Sequence, residues 1–375
     1  MFRSLLLMVA LLGITACTTD QPTTIAESRP MLDCPLRDAP FSIDSPLIDI
    51  LLNPQARALT ERATGVSFDA GPAPGFFGTT TPTFASILTI RAAAGMTGGD
   101  TSALPALDAQ LRALPVTDAD KAARCVRYDN DPVSFDLPTS GTKILLFEKI
   151  NGFRDVPSVN SAREALVAMA ARKGWTLVVT DRAGAFTPET LARFDVVVWN
   201  NISGDVLTLS QRAAFQNWLA NGGGYVGIHG SAGDPVWFWD WYVDTLIGAR
   251  FAGHPMNPQF QEARVVADTS HPVAAGLPAE WRMTDEWYSF KTSPRTAGAR
   301  VVLSLDESSY SRQGRFGEPL DMGADHPIAW TKCIGRGRMF YSAIGHMPET
   351  YSHPLNVRLL ENGIGWAADR STACQ

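Results

Sequence analysis

The feature that most constrains the fold is a change of texture at Lys143. From there, short apolar runs rich in β-branched residues alternate with stretches of helix length: KILLFEKI (143–150), SAREALVAMAARKG (161–174), TLVVTD (176–181), DVVVWNN (195–201), TLSQRAAFQNWLANGG (208–223) and GYVGIHG (224–230). Uninterrupted apolar strands are buried on both faces, and strands joined through helices run parallel. The expectation is an α/β fold, a parallel sheet with helices on both faces. Such sheets carry their sites at the carboxyl ends of the strands. The polar residues there are Glu148, Lys149, Asp181, Asn200, Asn201 and His229. After Phe251 the pattern turns β-rich (EARVVADTS, ARVVLSLDE, HPIAWTK, GRMFYSAIGH), and NVRLLENGIGWAAD (356–369) closes the chain as a helix.

Upstream, residues 34–137 read as a small helical N-terminal domain. Its helices are expected over 45–63, with Ser45 as cap and Pro46 at the first position, and over 81–95, 103–114 and 117–128. The stretch DNDPVSFDLPTSGT (129–142) reads as a linker to the α/β domain, residues 143–370. Residues 1–16 combine Arg3 with the apolar run SLLLMVALLGI, the layout of a secretory leader too short to span a bilayer. Ile14-Thr15-Ala16-Cys17 resembles a bacterial lipobox, which makes Cys17 the lipidated residue and 17–33 a flexible tether. An ordinary cleaved leader with a stray cysteine is the alternative. With Thr18 after the cysteine, the expected place is the cell envelope, on the outer membrane facing the periplasm.

Export gives the other cysteines a purpose, because disulfides persist in oxidising compartments. Cys34, Cys125, Cys333 and Cys374 allow three pairings. Cys34–Cys125 with Cys333–Cys374 is favoured because it keeps each bridge within one half of the chain. The formal net charge of −6 argues against a nucleic-acid partner held by a basic surface.

All six histidines fall between residues 229 and 353. His271, His326 and His353 precede prolines, as does His254, which reads as turn or strand-entry backbone. His229 differs: glycines on both sides should turn the chain tightly and expose the imidazole above the sheet. His346 also ends a strand, after Gly345. In MTDEWYSF (283–290) Asp285 and Glu286 are neighbours, and strand neighbours point to opposite faces, so only one can enter a given site. A carboxylate with two or three imidazoles can work as an acid/base pair or hold a divalent metal, although no HExxH or CxxC spacing is present. The run DPVWFWDWYVDTLIGARF (234–251) could stack on sugars through Trp237, Trp239 and Trp241, or simply pack.

Residues 143–369 resemble the ThuA-like family, named for trehalose utilisation. The resemblance lies in KILLFEKINGFR, FDVVVWNNISGDVL, NGGGYVGIHG, WYVDTLIGARFAGHP, HPVAAGLP, TDEWYSF, LDESSY, MGADHPIAW and GRGRMFYSAIGHMPETY, in that order. It implies a flavodoxin-like, class I glutamine amidotransferase-like fold and a link to disaccharide or keto-sugar catabolism. Where amidotransferases carry a nucleophilic cysteine, the GIHG turn has His229, so glutamine hydrolysis is not expected. Where members commonly carry histidine after GFR, this chain has Asp155. The implied site comprises His229, Glu286 and His346 as chemical groups, with Asp155, His254, Asp285, Trp287, Tyr288 and His326 around a small carbohydrate. The alternative is a non-catalytic lipoprotein that binds carbohydrate.

Overall fold

The computed structural model describes residues 31–68, 77–97, 101–315 and 317–374, and Leu32–Gln375 forms one compact unit. The leader over 1–16, Cys17 and the tether up to residue 30 lie outside the described residues. No helix among the described residues is long and apolar enough to cross a membrane.

The N-terminal helices are shorter and more broken than the apolar spacing suggests. The first run splits into α1 (Leu47–Leu52) and α2 (Pro54–Thr64). Asn53 adopts extended backbone between them, and its side chain accepts from the Gln55 and Ala56 N–H groups. An Asn cap followed by proline at the first position is a helix start, so one helix becomes two. The second run yields only a 3-10 turn at Phe84–Ser86 and α3 (Ile90–Thr97), followed by α4 (Leu104–Arg112) and α5 (Asp118–Cys125). Thr117 and Asp120 close a capping box on α5. These helices share an apolar cluster of their own around Phe41, Ile50, Leu107 and Leu111. Cys34–Cys125 bridges this region, and Cys333–Cys374 ties the C-terminal end.

Residues 129–142 are a strap and not a free linker. Val133, Phe135 and Leu137 pack on the main core, and Phe135 meets Phe194 edge-on. Asp129 accepts from Lys149 and from the Ala183 and Gly184 N–H groups.

The parallel half follows the predicted strands closely. It comprises β1 (Lys143–Phe147), α6 (Val156–Lys173), β2 (Thr176–Thr180), α7 (Pro188–Leu191), β3 (Val196–Asn200), α8 (Leu209–Ala220) and β4 (Gly224–Ile228). Gly174 ends α6 in the left-handed conformation that favours glycine. The remaining strands are β5 (Phe251–Gly253), β6 (Phe260–Ala267), β7 (Glu280–Glu286), β8 (Ser289–Phe290), β9 (Arg300–Asp306), β10 (Pro327–Ile334) and β11 (Gly337–Ser342), before α9 (Pro354–Ala368).

One mixed sheet runs β2-β1-β3-β4-β11-β10-β9-β6-β7, while β5 and β8 pair separately. The first five positions are parallel, and β10, β9, β6 and β7 extend them as antiparallel neighbours. The order 2-1-3-4 reverses direction between β1 and β3, which opens a crevice at their carboxyl ends. The antiparallel extension brings β7 and the loop after it to that same edge.

Candidate functional site

His229 leaves β4 with φ +39°, so the histidine itself, and not its flanking glycines, takes the left-handed turn. That conformation costs a non-glycine residue about 1–3 kcal/mol and persists only where its surroundings hold it. The His229 carbonyl accepts from the Tyr341 hydroxyl at 2.8 Å, and Gly230 N–H donates to the Asn201 side chain at 3.3 Å. The ring is only 4% exposed, against the expectation of an imidazole standing free above the sheet. Its Nδ1 lies 2.7 Å from the Ala343 carbonyl. A carbonyl only accepts, so Nδ1 carries the proton and Nε2 turns inward. There it lies 2.9 Å from the Tyr288 hydroxyl, with the two rings stacked at 4.3 Å. A Cβ on Gly233 would stand 2.5 Å from that hydroxyl, so glycine is required beneath Tyr288.

Glu286 ends β7 inside a ring of imidazoles, with 2% of its surface exposed. Oε2 lies 3.0 Å from His346 Nδ1 and 3.4 Å from His229 Nε2, while Oε1 accepts from Gln259 at 2.5 Å and lies 3.2 Å from His254 Nδ1. Burial pushes this carboxyl up, but the hydrogen bonds from His229 and His346 and the nearby imidazole charges outweigh it and hold Glu286 well below the usual range. For His346 the balance is reversed in kind: burial favours the neutral ring, while the bond to Glu286 and the charges of Glu286, Asp155 and Asp285 raise it. Tyr288 stays protonated, raised well above its ordinary value by burial and then by the charge of Glu286.

Asp285, adjacent in the strand, points away from this cluster. It accepts the backbone N–H groups of Gly345 (2.6 Å), His346 (3.1 Å), Met347 (3.0 Å) and Glu286 (2.8 Å), and is fully buried. Burial raises its carboxyl despite these donors. Its place is therefore to hold the loop that carries His346, not to touch a ligand. Asp155, before α6, lies 3.6 Å from His346 Nε2 and accepts from Ser158 at 2.5 Å. The His346 carbonyl is a second acceptor within reach of that same hydroxyl proton.

Two other expected residues lie apart. Trp287 is fully buried, its indole N–H donating to the Gln261 carbonyl at 2.8 Å. His326 is fully buried between Glu307 (2.8 Å) and the Tyr288 carbonyl (2.9 Å), so it supports Tyr288 from behind. Trp237 and Trp239 sit in a packed aromatic pile with Tyr242, and Trp239 also meets Phe215 and Trp241, which leaves the packing reading of that run. The partly exposed His346 marks the solvent side of the cluster, its mouth, which is flanked instead by Phe153 and Phe260, 42% and 41% exposed, whose rings lie 6.1 and 5.1 Å from that of His346. Neither these two nor Gln259 and Ser158 carry a motif that marks them in the sequence. Two cavities, about 170 Å³ beside Ser42 and Arg124 and about 520 Å³ beside Asp306 and Asp325, are not lined by the His/Glu cluster; Glu307, the partner of His326, lines the second.

A mixed sheet with a parallel core and a His/Glu cluster at the carboxyl edge of its strands defines an α/β protein with a candidate site where such sheets carry theirs. The ThuA model, described as trehalose utilisation, matches residues 143–367. The chain belongs to the ThuA family. Among solved structures it is similar to a ThuA-like protein from Bacteroides uniformis, with 26% identity over 64% of this chain and 98% of that one and a TM-score of 0.53. A second ThuA-like protein, from Parabacteroides merdae, aligns at 19% identity over 63% of this chain and 92% of that one, with a TM-score of 0.46. No curated protein matches.

Proposed function

We propose that this chain is an envelope-anchored enzyme acting on a disaccharide or keto-sugar at the His229–Glu286–His346 cluster. The observation that carries the reading is the buried Glu286 carboxylate shared by three imidazoles under a mouth flanked by two exposed phenylalanines. Proton abstraction beside a ketone needs a base within hydrogen-bond reach and a donor for the developing oxyanion. The cluster supplies the first through a neutral imidazole, His346 being made more basic by Glu286, and the second through Tyr288 or a protonated imidazole. Phe153 and Phe260 offer flat apolar faces suited to the C–H faces of a sugar ring. Membership of a family linked to trehalose utilisation supports the substrate class. The lipobox-like segment at Cys17 and the two disulfides support the envelope location.

The test is turnover of a keto-disaccharide and of its unoxidised parent, followed by NMR, for the wild type and for Glu286→Gln. The expected result is conversion of the keto form, reduced at least 100-fold in the variant. Equal rates in both proteins would overturn the reading. Binding without turnover, abolished in a Phe153→Ala/Phe260→Ala double variant, would establish the alternative of a carbohydrate-binding lipoprotein.

A further inference from the structure

We propose that His229 Nε2, His346 Nδ1 and Glu286 Oε2 form a binding site for one divalent transition metal. The site rests on geometry alone; only its use in turnover rests on the function proposed above. The three atoms define a triangle with edges of 3.3 Å (His229 to His346), 3.4 Å (His229 to Glu286) and 3.0 Å (His346 to Glu286). An ion about 2.1 Å from each of three ligands, with angles between octahedral and tetrahedral, spans edges of about 3.0–3.4 Å.

What surrounds the triangle is also what metal ligands require. A ligating histidine is oriented by a partner on its other nitrogen. His229 Nδ1 has the Ala343 carbonyl at 2.7 Å, and His346 Nε2 faces the Asp155 carboxylate at 3.6 Å. Glu286 offers Oε2 while Oε1 is held by Gln259 at 2.5 Å. Asp285 fixes the backbone of the His346 loop through three of its N–H groups. The alternative to an ion is that two imidazole nitrogens 3.3 Å apart share a proton beside Glu286. A divalent ion replaces that proton and meets the negative charge of Glu286, with Asp155 and Asp285 nearby.

Two nitrogens and one oxygen favour Zn²⁺, Mn²⁺, Fe²⁺ or Co²⁺ over Mg²⁺ or Ca²⁺, which prefer all-oxygen shells. Three protein ligands leave coordination positions free, as in catalytic and not structural sites. An ion there would polarise the carbonyl oxygen of a keto-sugar next to the Tyr288 hydroxyl.

The test uses the full chain, stripped with chelator and titrated with Zn²⁺ and with Mn²⁺ by calorimetry, with elemental analysis of the product and the Co²⁺ visible spectrum as a ligand-field readout. The expected result is one ion per chain, bound at least 100-fold more weakly by Glu286→Gln and by His346→Ala. A His353→Gln control at the start of α9 should bind as the parent does. His346 lies in a loop at the mouth, so His346→Ala decides the matter if Glu286→Gln does not fold. No stoichiometric ion in the parent, or parent-like affinity in both variants, overturns the site. An ion bound as expected with no turnover of keto-sugar upholds the site and breaks only the functional reading. Full turnover after stripping breaks the assignment of metal chemistry to it.

Discussion

Asp49 and Glu286 are both carboxylates buried beside basic groups, and they behave as opposites. Asp49, in α1, has 1% of its side chain exposed and accepts from Arg127 at 2.6 Å, with Arg124 4.0 Å away. Glu286 is as deeply buried but is surrounded by His229, His254 and His346. A guanidinium does not lose its proton, so the cations beside Asp49 keep their charge and the pair holds the helices together. Imidazoles gain and lose protons near neutrality and can exchange a proton for a metal. The same burial makes a brace in one place and a reactive centre in the other.

The largest expected effect tests the brace. Asp49→Ala strands Arg127 and Arg124 without their counter-charge and should cost about 3–5 kcal/mol, read by denaturant unfolding. Glu286→Gln removes a buried charge but leaves imidazoles that can become neutral, so it should destabilise the fold less than Asp49→Ala does, while activity collapses. If Glu286→Gln unfolds as readily as Asp49→Ala, the contrast between the two clusters fails.

A second effect should fall on one side of the comparison only. The Cys34–Cys125 bridge fixes α5, the helix of Arg124, across 91 residues of sequence. Replacing both cysteines with alanine should lower stability by about 2–4 kcal/mol. Turnover by the folded fraction should be unchanged, since the bridge touches no residue of the His/Glu cluster. A loss of turnover in protein that remains folded would mean that the helical region shapes the site.

His271 sharpens the point that histidine alone does not make a site. It is 2% exposed; Nδ1 accepts from Val273 N–H at 3.1 Å, and Nε2 lies 2.9 Å from the Thr331 hydroxyl. The first of these bonds requires the neutral ring. Burial, then the charge of Arg300, lowers its pKa to about 4 despite Asp268. The folded value lies below the unfolded one of about 6.5. Its contribution is therefore present above pH 6.5 or so and is lost as pH falls toward about 4, by roughly 2–3 kcal/mol in all. His271→Asn keeps a cap acceptor and removes the titration, so the difference in unfolding free energy between parent and variant should shrink across that window. A constant difference would mean that His271 is not held neutral.

How much of this was legible in the sequence depended on whether the cause was local. The parallel strands were, because Ile144–Phe147, Val196–Val198 and Tyr225–Ile228 are apolar runs long enough to need two covered faces. Glu286, His229 and His346 were also legible, through strand-end position and family resemblance. The role of Asp285 was not, because its four donors include three N–H groups about 60 residues away. The strap over 129–142 read as a linker because Val133, Phe135 and Leu137 are diluted by polar and turn residues; only the surface they cover reveals the alternation. Trp287 looked like a ligand platform for the complementary reason, since an indole in a core and one in a binding site are the same letter.

The smallest effect concerns the mouth, where that ambiguity between packing and binding can be settled. Phe260 opens β6, paired with Glu286 across the strands, and keeps 41% of its surface exposed although its ring lies 5.1 Å from that of His346. A phenylalanine that faces water loses little folding energy on truncation, so Phe260→Ala should shift stability by no more than about 0.5 kcal/mol. If the ring stacks on a sugar, the same change removes apolar contact equally from substrate and transition state. KM should then rise about 3- to 10-fold with kcat nearly constant, the signature of uniform binding. A fall in kcat at constant KM would instead place Phe260 as a positioning residue that keeps the His346 ring aligned. No change in either constant would leave the mouth aromatics without a part in recognition, and the contrast between a rigid brace and a reactive cluster would then stop at the edge of the imidazoles.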